Sequence, residues 1–332
     1  MESLKSKIVV ITGASAGVGR ATAVAFGAAG ARVVALSRNT ESLAGTKSEV
    51  EKAGGECFYF PVDVGNAEQV KSTVETIENN IGPIDVWVNN AMASVFSPIK
   101  EMTAEEFKRV TDVTYLGQVY STISVLKYML KRNHGKIILV GSALAYRGIP
   151  LQSAYCAAKH GVQGFFDSLR AELLHDKSKV KVTMVELPAL NTPQFDWVKS
   201  RLPNKARPMG NVFQPEVAAH AITYAATHDR REIFVAMPTF KAIIGNKFFP
   251  GILDRMMANT GIDGQQTDEP ENPNRKHNLW EPVPGNHSAH GRFDDISKSS
   301  SPVLWLSLHP GVFWATLIVV VIVLIVLLAL AI

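Results

Sequence analysis

Sulfur chemistry is scarce in this chain: among 332 residues only Cys57 and Cys156 carry thiols. They lie far apart without metal-ligand spacing, so neither a disulfide framework nor a metal centre is expected, and a reducing compartment is the simpler setting. Long runs of Lys or Arg are also missing. A net charge of +4 is too mild and too dispersed to mark a nucleic-acid surface. No internal repeat is found. The first residues, Met1 to Lys5, lead at once into a short apolar run and then glycine. That is too brief for an export signal, and a first buried strand is expected instead. What is not lacking is one uncharged stretch from Gly311 to Ile332. About 20 apolar residues at about 1.5 Å each cross a hydrocarbon layer of about 30 Å. Trp305 and Trp314 stand near its start, as interfacial aromatics do. A transmembrane helix is therefore expected at 311–331, with no exposed polar face to suit a soluble helix.

Apolar runs at 8–11, 32–36, 57–60, 86–88, 136–140, 180–185 and 233–235 alternate with stretches long enough for helices. Continuous apolar strands separated by helices predict an α/β fold, a doubly wound parallel sheet covered on both faces. Thr103-Ala104-Glu105-Glu106 has the form of a capping box opening a helix. Residues 237–260 mix Phe, Ile and Met with Lys241, Lys247 and Arg255 and are broken by Gly245, Pro250 and Gly251. They read as a lid or a packing extension, with membrane contact the alternative. Residues 261–305 are polar, with few aliphatics, and are expected to form a disordered linker.

Thr12-Gly13-Ala14-Ser15-Ala16-Gly17-Val18-Gly19 follows the first run and precedes an Ala-rich stretch. Glycines permit a tight turn and close backbone approach to a pyrophosphate, and a helix N-terminus aims free amides at that anion. Alone, such a string also fits a plain strand-to-helix turn. The second run ends in Ser37-Arg38, without an acid to accept ribose hydroxyls. Arg38 is free to pair with a 2′-phosphate, so NADP(H) is favoured over NAD(H); a solvated surface arginine is the alternative.

Tyr155 and Lys159 stand four residues apart, on one face if helical. An ammonium beside a phenol lowers its pKa from near 10 and makes it a usable proton donor and acceptor. Gly141-Ser142 ends the fifth run thirteen residues before Tyr155. A hydroxyl there can hydrogen-bond a carbonyl oxygen and share its developing charge.

In this order, the Gly-x-x-x-Gly-x-Gly loop, Asn89-Asn90-Ala91, Ser142, Tyr155, Lys159 and the segment Leu187-Pro188-Ala189-Leu190-Asn191-Thr192 resemble the short-chain dehydrogenase/reductase family. The likeness covers about 230 residues. It implies a single Rossmann domain at 1–236 that binds NADP(H) through Thr12, Gly13, Ser15, Gly17, Val18, Gly19, Ser37, Arg38, Asp63, Val64, Asn90, Ala91, Tyr155, Lys159, Pro188 and Thr192. It implies Ser142, Tyr155 and Lys159 as the catalytic group, with Thr114 at the position of an Asn that connects the lysine to solvent. It also implies a homodimer or homotetramer. Three residues depart from the pattern: Met92 and Ala189 replace glycines, and Thr114 replaces that Asn. The expected activity interconverts a carbonyl and a secondary alcohol. A lipophilic small molecule is the expected substrate, because a membrane helix shortens the search for it, and the catalytic domain is expected to face the cytoplasm. A catalytically weak nucleotide sensor or scaffold on the same fold is the alternative that the three departures leave open.

Overall fold

The computed structural model describes residues 3–309 and 311–312. Its centre is a parallel sheet of seven strands: β1 (Ile8–Thr12), β2 (Arg32–Ser37), β3 (Glu56–Pro61), β4 (Val86–Asn89), β5 (Lys136–Val140), β6 (Lys181–Glu186) and β7 (Glu232–Phe234). The spatial order is 3-2-1-4-5-6-7. The chain reverses direction across the sheet between β1 and β4, and that switch point opens a crevice at the strands' carboxyl ends. Strand β1 shows why the runs are continuous rather than alternating. Val9 and Ile11 enter the apolar cluster on one face, and Ile8 and Val10 enter the cluster on the other. A parallel sheet clothed by helices on both sides buries every residue of a central strand.

The helices are α1 (Gly17–Ala28), α2 (Thr40–Lys52), α3 (Ala67–Asn80), α4 (Ala104–Thr111), α5 (Gly117–Arg132), α6 (Ser153–His175), α7 (Gln194–Trp197), α8 (Pro215–Thr227), α9 (Met237–Phe248), α10 (Pro250–Thr260) and α11 (Pro302–Leu308). Phe26 of α1 and Ile222 of α8 pack into one cluster; Val74 of α3, Met129 of α5 and Phe166 of α6 pack into the other. Side-chain oxygens of Asn39 and Asn66 cap α2 and α3. The anticipated capping box is present. Thr103 Oγ1 accepts from the Glu106 amide, and Glu106 Oε2 accepts from the Thr103 amide at 3.0 Å. A π-helical turn, Asp112–Leu116, then joins α4 to α5.

Glu106 is buried, and its Oε1 takes salt bridges from Lys199 at 2.6 Å and Arg201 at 2.9 Å. Burial alone would raise its pKa, but Arg201 and Lys199 outweigh that and hold it down at about 2. Because the folded-state pKa lies below the unfolded one, this stabilisation is present above the unfolded carboxylate range and is lost as pH falls towards 2. We expect Glu106→Gln to cost about 3 kcal/mol at neutral pH, the scale of breaking a buried pair. The gap from wild type should close in strong acid, as read by denaturant unfolding at a series of pH values.

The structure corrects the reading of residues 261–305 as a disordered linker. The segment is an ordered strap. A strand at Gln266–Pro270 pairs antiparallel with Asn204–Ala206, and a short strand at Ser297–Lys298 pairs with Val212–Phe213. Leu279, Phe293 and Leu304 are buried. The composition argument failed because a strap needs no core of its own. A few apolar anchors suffice when its backbone polar groups bond to side chains of the domain. Helix α11 docks Leu304 and Leu308 into the first cluster. Among the described residues no helix is long and apolar enough to cross a membrane. The helix expected at 311–331 lies outside the described residues except for 311–312.

Candidate active site

The carboxyl ends of β1, β2, β4, β5 and β6 open into one cavity of about 670 Å³. It runs from the glycine loop, past Arg38 and Asp63, to Ser142 and Tyr155, and out beneath α9 and α10.

At one end the chain turns from β1 into α1 with Gly13 at φ +67° and Gly17 at φ +56°, a region that costs other L-residues strain. No side chain caps α1, so its first amides face the crevice without a side-chain acceptor, the arrangement that suits an anion. A Cβ on Gly19 would lie 2.1 Å from the Gly13 carbonyl oxygen, so this glycine serves packing and does not line the cavity. Thr12 is also structural: its hydroxyl donates to the Val88 carbonyl and accepts from the Asn90 and Ala91 amides. Gly13, Ser15, Gly17, Val18, Ser37, Arg38, Asp63, Val64, Asn90, Ala91, Pro188 and Thr192 all line the cavity, as does Met92. A loop held open by glycines, continuous with a long cavity, is a cradle that fits a dinucleotide.

The strap closes the outer end of this cradle. Arg38 is not free, as its sequence position suggests. Its guanidinium donates to the carbonyls of Asn278 and, at 2.6 Å, Trp280. Asn39 donates to the carbonyls of Val283 at 2.8 Å and Gly285 at 3.1 Å. The Gly17 amide donates to the Ser288 carbonyl at 3.2 Å. Arg20 donates to Asn286 at 2.8 Å. Arg109, which sequence reasoning did not single out, joins Asp63 at 2.7 Å and donates to the Leu279 carbonyl at 3.0 Å. Nothing in local sequence announces these partners, because the bonds run to backbone carbonyls far along the chain.

At the other end, α6 carries Tyr155 and Lys159 on one face. The Lys159 nitrogen lies 5.6 Å from the centre of the Tyr155 ring and donates to the Val140 carbonyl at 2.6 Å. Ser142 begins the turn after β5, and its Oγ accepts from the Leu144 amide at 3.1 Å, which leaves its proton for another acceptor. The expected lowering of the Tyr155 pKa is not found. Burial pushes the phenol up, and Ser142, as a hydrogen-bond partner, only partly opposes it. Burial also pushes Lys159 down, to about 8, so less of its charge is available to oppose the burial of the phenol.

Thr114 is not brought to the cavity. It sits on the π-helical turn, and its hydroxyl accepts from the Ala93 amide and donates to the Ala93 carbonyl, both at 2.9 Å. Glu186, at the end of β6, was missed. A charged residue ending a buried parallel strand was the available signal, since such strands carry apolar side chains.

A family model described as short chain dehydrogenase matches residues 7–202. The chain belongs to the short-chain dehydrogenase family. It is 33% identical over 289 residues to the uncharacterized oxidoreductase YxnA of Bacillus subtilis, covering 86% of this chain and 81% of that one. It is 31% identical over 226 residues to a fatty acyl-CoA reductase of Acinetobacter baylyi, covering 68% and 74%. Among solved structures it resembles a metagenomic short-chain oxidoreductase in complex with NADP, with a TM-score of 0.60 and 26% identity over 70% of this chain and 97% of that one. The chain is thus an NAD(P)-dependent oxidoreductase with a Rossmann-like sheet.

Proposed function

We propose that the protein interconverts a lipophilic carbonyl compound and its secondary alcohol with NADP(H), at the surface of a membrane that its residues 311–331 cross, with the catalytic domain on the cytoplasmic side. The observation that carries this reading is the convergence of Ser142, Tyr155 and Lys159 on the cavity that continues from the glycine cradle. Bound in that cradle, the nicotinamide would supply or accept the hydride. Ser142 donates to the carbonyl oxygen and holds it beside Tyr155. Tyr155 gives that oxygen its proton, and its raised pKa keeps the proton in place until negative charge develops on the oxygen. Lys159 is fixed by the Val140 carbonyl, with its remaining protons available for hydroxyls of the cofactor. Gly13, Gly17 and the start of α1 would hold the pyrophosphate, and Arg38 the 2′-phosphate, sharing its donors with the strap carbonyls.

Two observations support a lipophilic substrate. Met237, Leu253, Met256 and Met257 of α9 and α10 line the mouth of the cavity. Phe248 of α9, Phe249 between the two helices and Ile252 of α10 are 65%, 58% and 64% exposed, an apolar patch of the kind that marks a contact surface. A relative that is a fatty acyl-CoA reductase fits the same class.

Nucleotide titration tests the cofactor assignment. Arg38→Ala should weaken NADPH binding by about 10-fold or more, the worth of a charge-assisted hydrogen bond, and leave NADH nearly unchanged. Equal loss for both would assign Arg38 to the strap alone. Failure of the wild-type protein to bind either nucleotide would favour the scaffold alternative. A strict preference for small polar ketones over long-chain ketones, read by NADPH oxidation, would overturn the lipophilic substrate.

A further inference from the structure

The lining of the cavity is one-sided in charge. Among the described residues its only acid is Asp63, at the cofactor end, and Arg109 already pairs with it at 2.7 Å. The half beneath α9 and α10 holds Arg147, Arg207 and Lys241 and, among the described residues, no carboxylate. A cleft of one sign between apolar walls concentrates its field and draws ligands of the opposite sign. The three cations differ in what they hold. Arg147 is neutralised by Asp254 of α10 at 2.6 Å, and Asn246 of α9 accepts from it at 3.0 Å. Lys241 stands exposed at the rim. Arg207 is half-buried, and among the described residues its guanidinium makes no hydrogen bond or ion pair. Its Nε is buried without an acceptor.

The strap fixes Arg207 in that place. The Arg207 amide donates to the Gln265 carbonyl at 2.9 Å, just before the strand at Gln266–Pro270. Gln265 is fully buried. Its side chain donates to the Pro150 carbonyl at 3.0 Å and accepts from Gln152 at 2.7 Å. Gln152 lines the cavity directly before α6, three residues from Tyr155. On the other side Ala206 is buried in a cluster with Phe195, Leu202 and Phe293. The backbone at 207 is thus anchored on both sides, next to the start of the helix that carries the proton donor. A buried donor without an acceptor costs free energy and calls for a physical reason. An oxyanion entering the cavity supplies one, because the planar fork of a guanidinium matches a carboxylate or a phosphate with two parallel bonds.

We propose that the substrate is an anionic amphiphile whose carboxylate or phosphate is held by Arg207. This rests on the reading of the cavity as a site of carbonyl reduction. Ser142 and Tyr155 then hold the ketone of the same molecule, and its chain lies against Met237, Leu253, Met256 and Met257 at the mouth. Lys241 at the rim adds to the field that draws the anion in, while Arg147, already paired with Asp254, ties the turn after Ser142 to the two lid helices. Arg207 touches the substrate but not the reacting carbon, so it is a binding residue that sets specificity. It selects among lipophilic ketones by a charge that an apolar lid cannot read.

The test uses the full chain in non-ionic detergent, with NADPH and a set of oxododecanoates that differ in the position of the ketone. Each is compared with its methyl ester, which keeps chain and ketone but loses the charge, and with the oxododecyl phosphate that carries the same ketone. At the best ketone position, kcat/KM for the anion should exceed that for the ester by about 10-fold or more, the worth of a charge-assisted hydrogen bond. The difference should lie mainly in KM, because the head group is held alike before and during hydride transfer. In Arg207→Gln the anion-to-ester ratio should fall to about one. Arg207→Lys, which keeps the charge but not the fork, should hold an intermediate ratio. A preference for the carboxylate assigns a fatty-acid head group, and a preference for the phosphate a phosphorylated one; either supports the proposal. Calorimetric binding of dodecanoate, which has no ketone, should weaken in Arg207→Gln by the same factor. Equal kcat/KM for anion and ester in the wild type overturns the proposal, as does a ratio that survives Arg207→Gln. A fall in NADPH affinity with the ratio unchanged gives Arg207 to the cofactor and overturns it too. Reduction that is blind to charge overturns the anion site alone. A wild-type protein that reduces none of the ketones yet binds dodecanoate through Arg207 overturns the reductase reading and leaves only the anion site standing.

Discussion

Tyr155→Phe should reduce kcat/KM about 10³-fold, in the middle of the range for removing a positioned proton donor. The ring keeps its place between Ser142 and Lys159, and only the hydroxyl is lost. NADPH affinity should therefore stay within about twofold, and the melting temperature should not fall. Stopped-flow NADPH oxidation in the presence of a long-chain ketone separates the two quantities. Burial holds the phenol's proton tightly, so it is released only to an oxygen on which negative charge develops, and its loss removes that donor. Retention of most of the rate would place the proton donor elsewhere.

Gly19→Ala is the second large effect, and it acts through the backbone. The added methyl would sit 2.1 Å from the Gly13 carbonyl oxygen and 2.6 Å from Asn90 Nδ2. Neither neighbour can yield. Asn90 is tied by its side chain to the Thr12 carbonyl at 2.9 Å and by its amide to the Thr12 hydroxyl. Overpacking of this kind costs about 1–3 kcal/mol or more, which at this size is several degrees in melting temperature. Because the loop that must shift is the cradle itself, NADPH affinity should drop about 100-fold, an amount equal to about 2.7 kcal/mol. Gly164→Ala on α6 is the control. Nothing lies within 4 Å of a Cβ there, so the same change should stabilise the helix by about 0.5–1 kcal/mol.

The seven strands were legible because strands buried on both faces write themselves as unbroken apolar runs. The catalytic group was legible because helical spacing puts Tyr155 and Lys159 on one face and strand ends put Ser142 and the glycine loop on one edge. Three things were hidden, each for its own reason. The strap's stability comes from Arg38, Asn39 and Arg20 reaching its carbonyls, and backbone carbonyls carry no sequence signature. Thr114 kept the right position in the chain, but a short side chain on a π-helical turn reaches Ala93 rather than the lysine. Glu186 follows four apolar or neutral residues, Val182 to Val185, on its strand, and the apolar run ends one residue before it.

If residues 311–331 cross a membrane as proposed, the docking of α11 would set the length of a leash. A free polar linker of some 45 residues would let the domain wander about 35–40 Å from its anchor. Here the strap is bound to the domain throughout, and Leu304 and Leu308 hold its last helix in the core. Only about three residues, or about 10 Å of extended chain, then separate the domain from a helix beginning at 311. With that helix in a bilayer, the domain could neither sweep the surrounding solution nor turn freely. It would sample only what lies in its own patch of membrane, presented in one orientation.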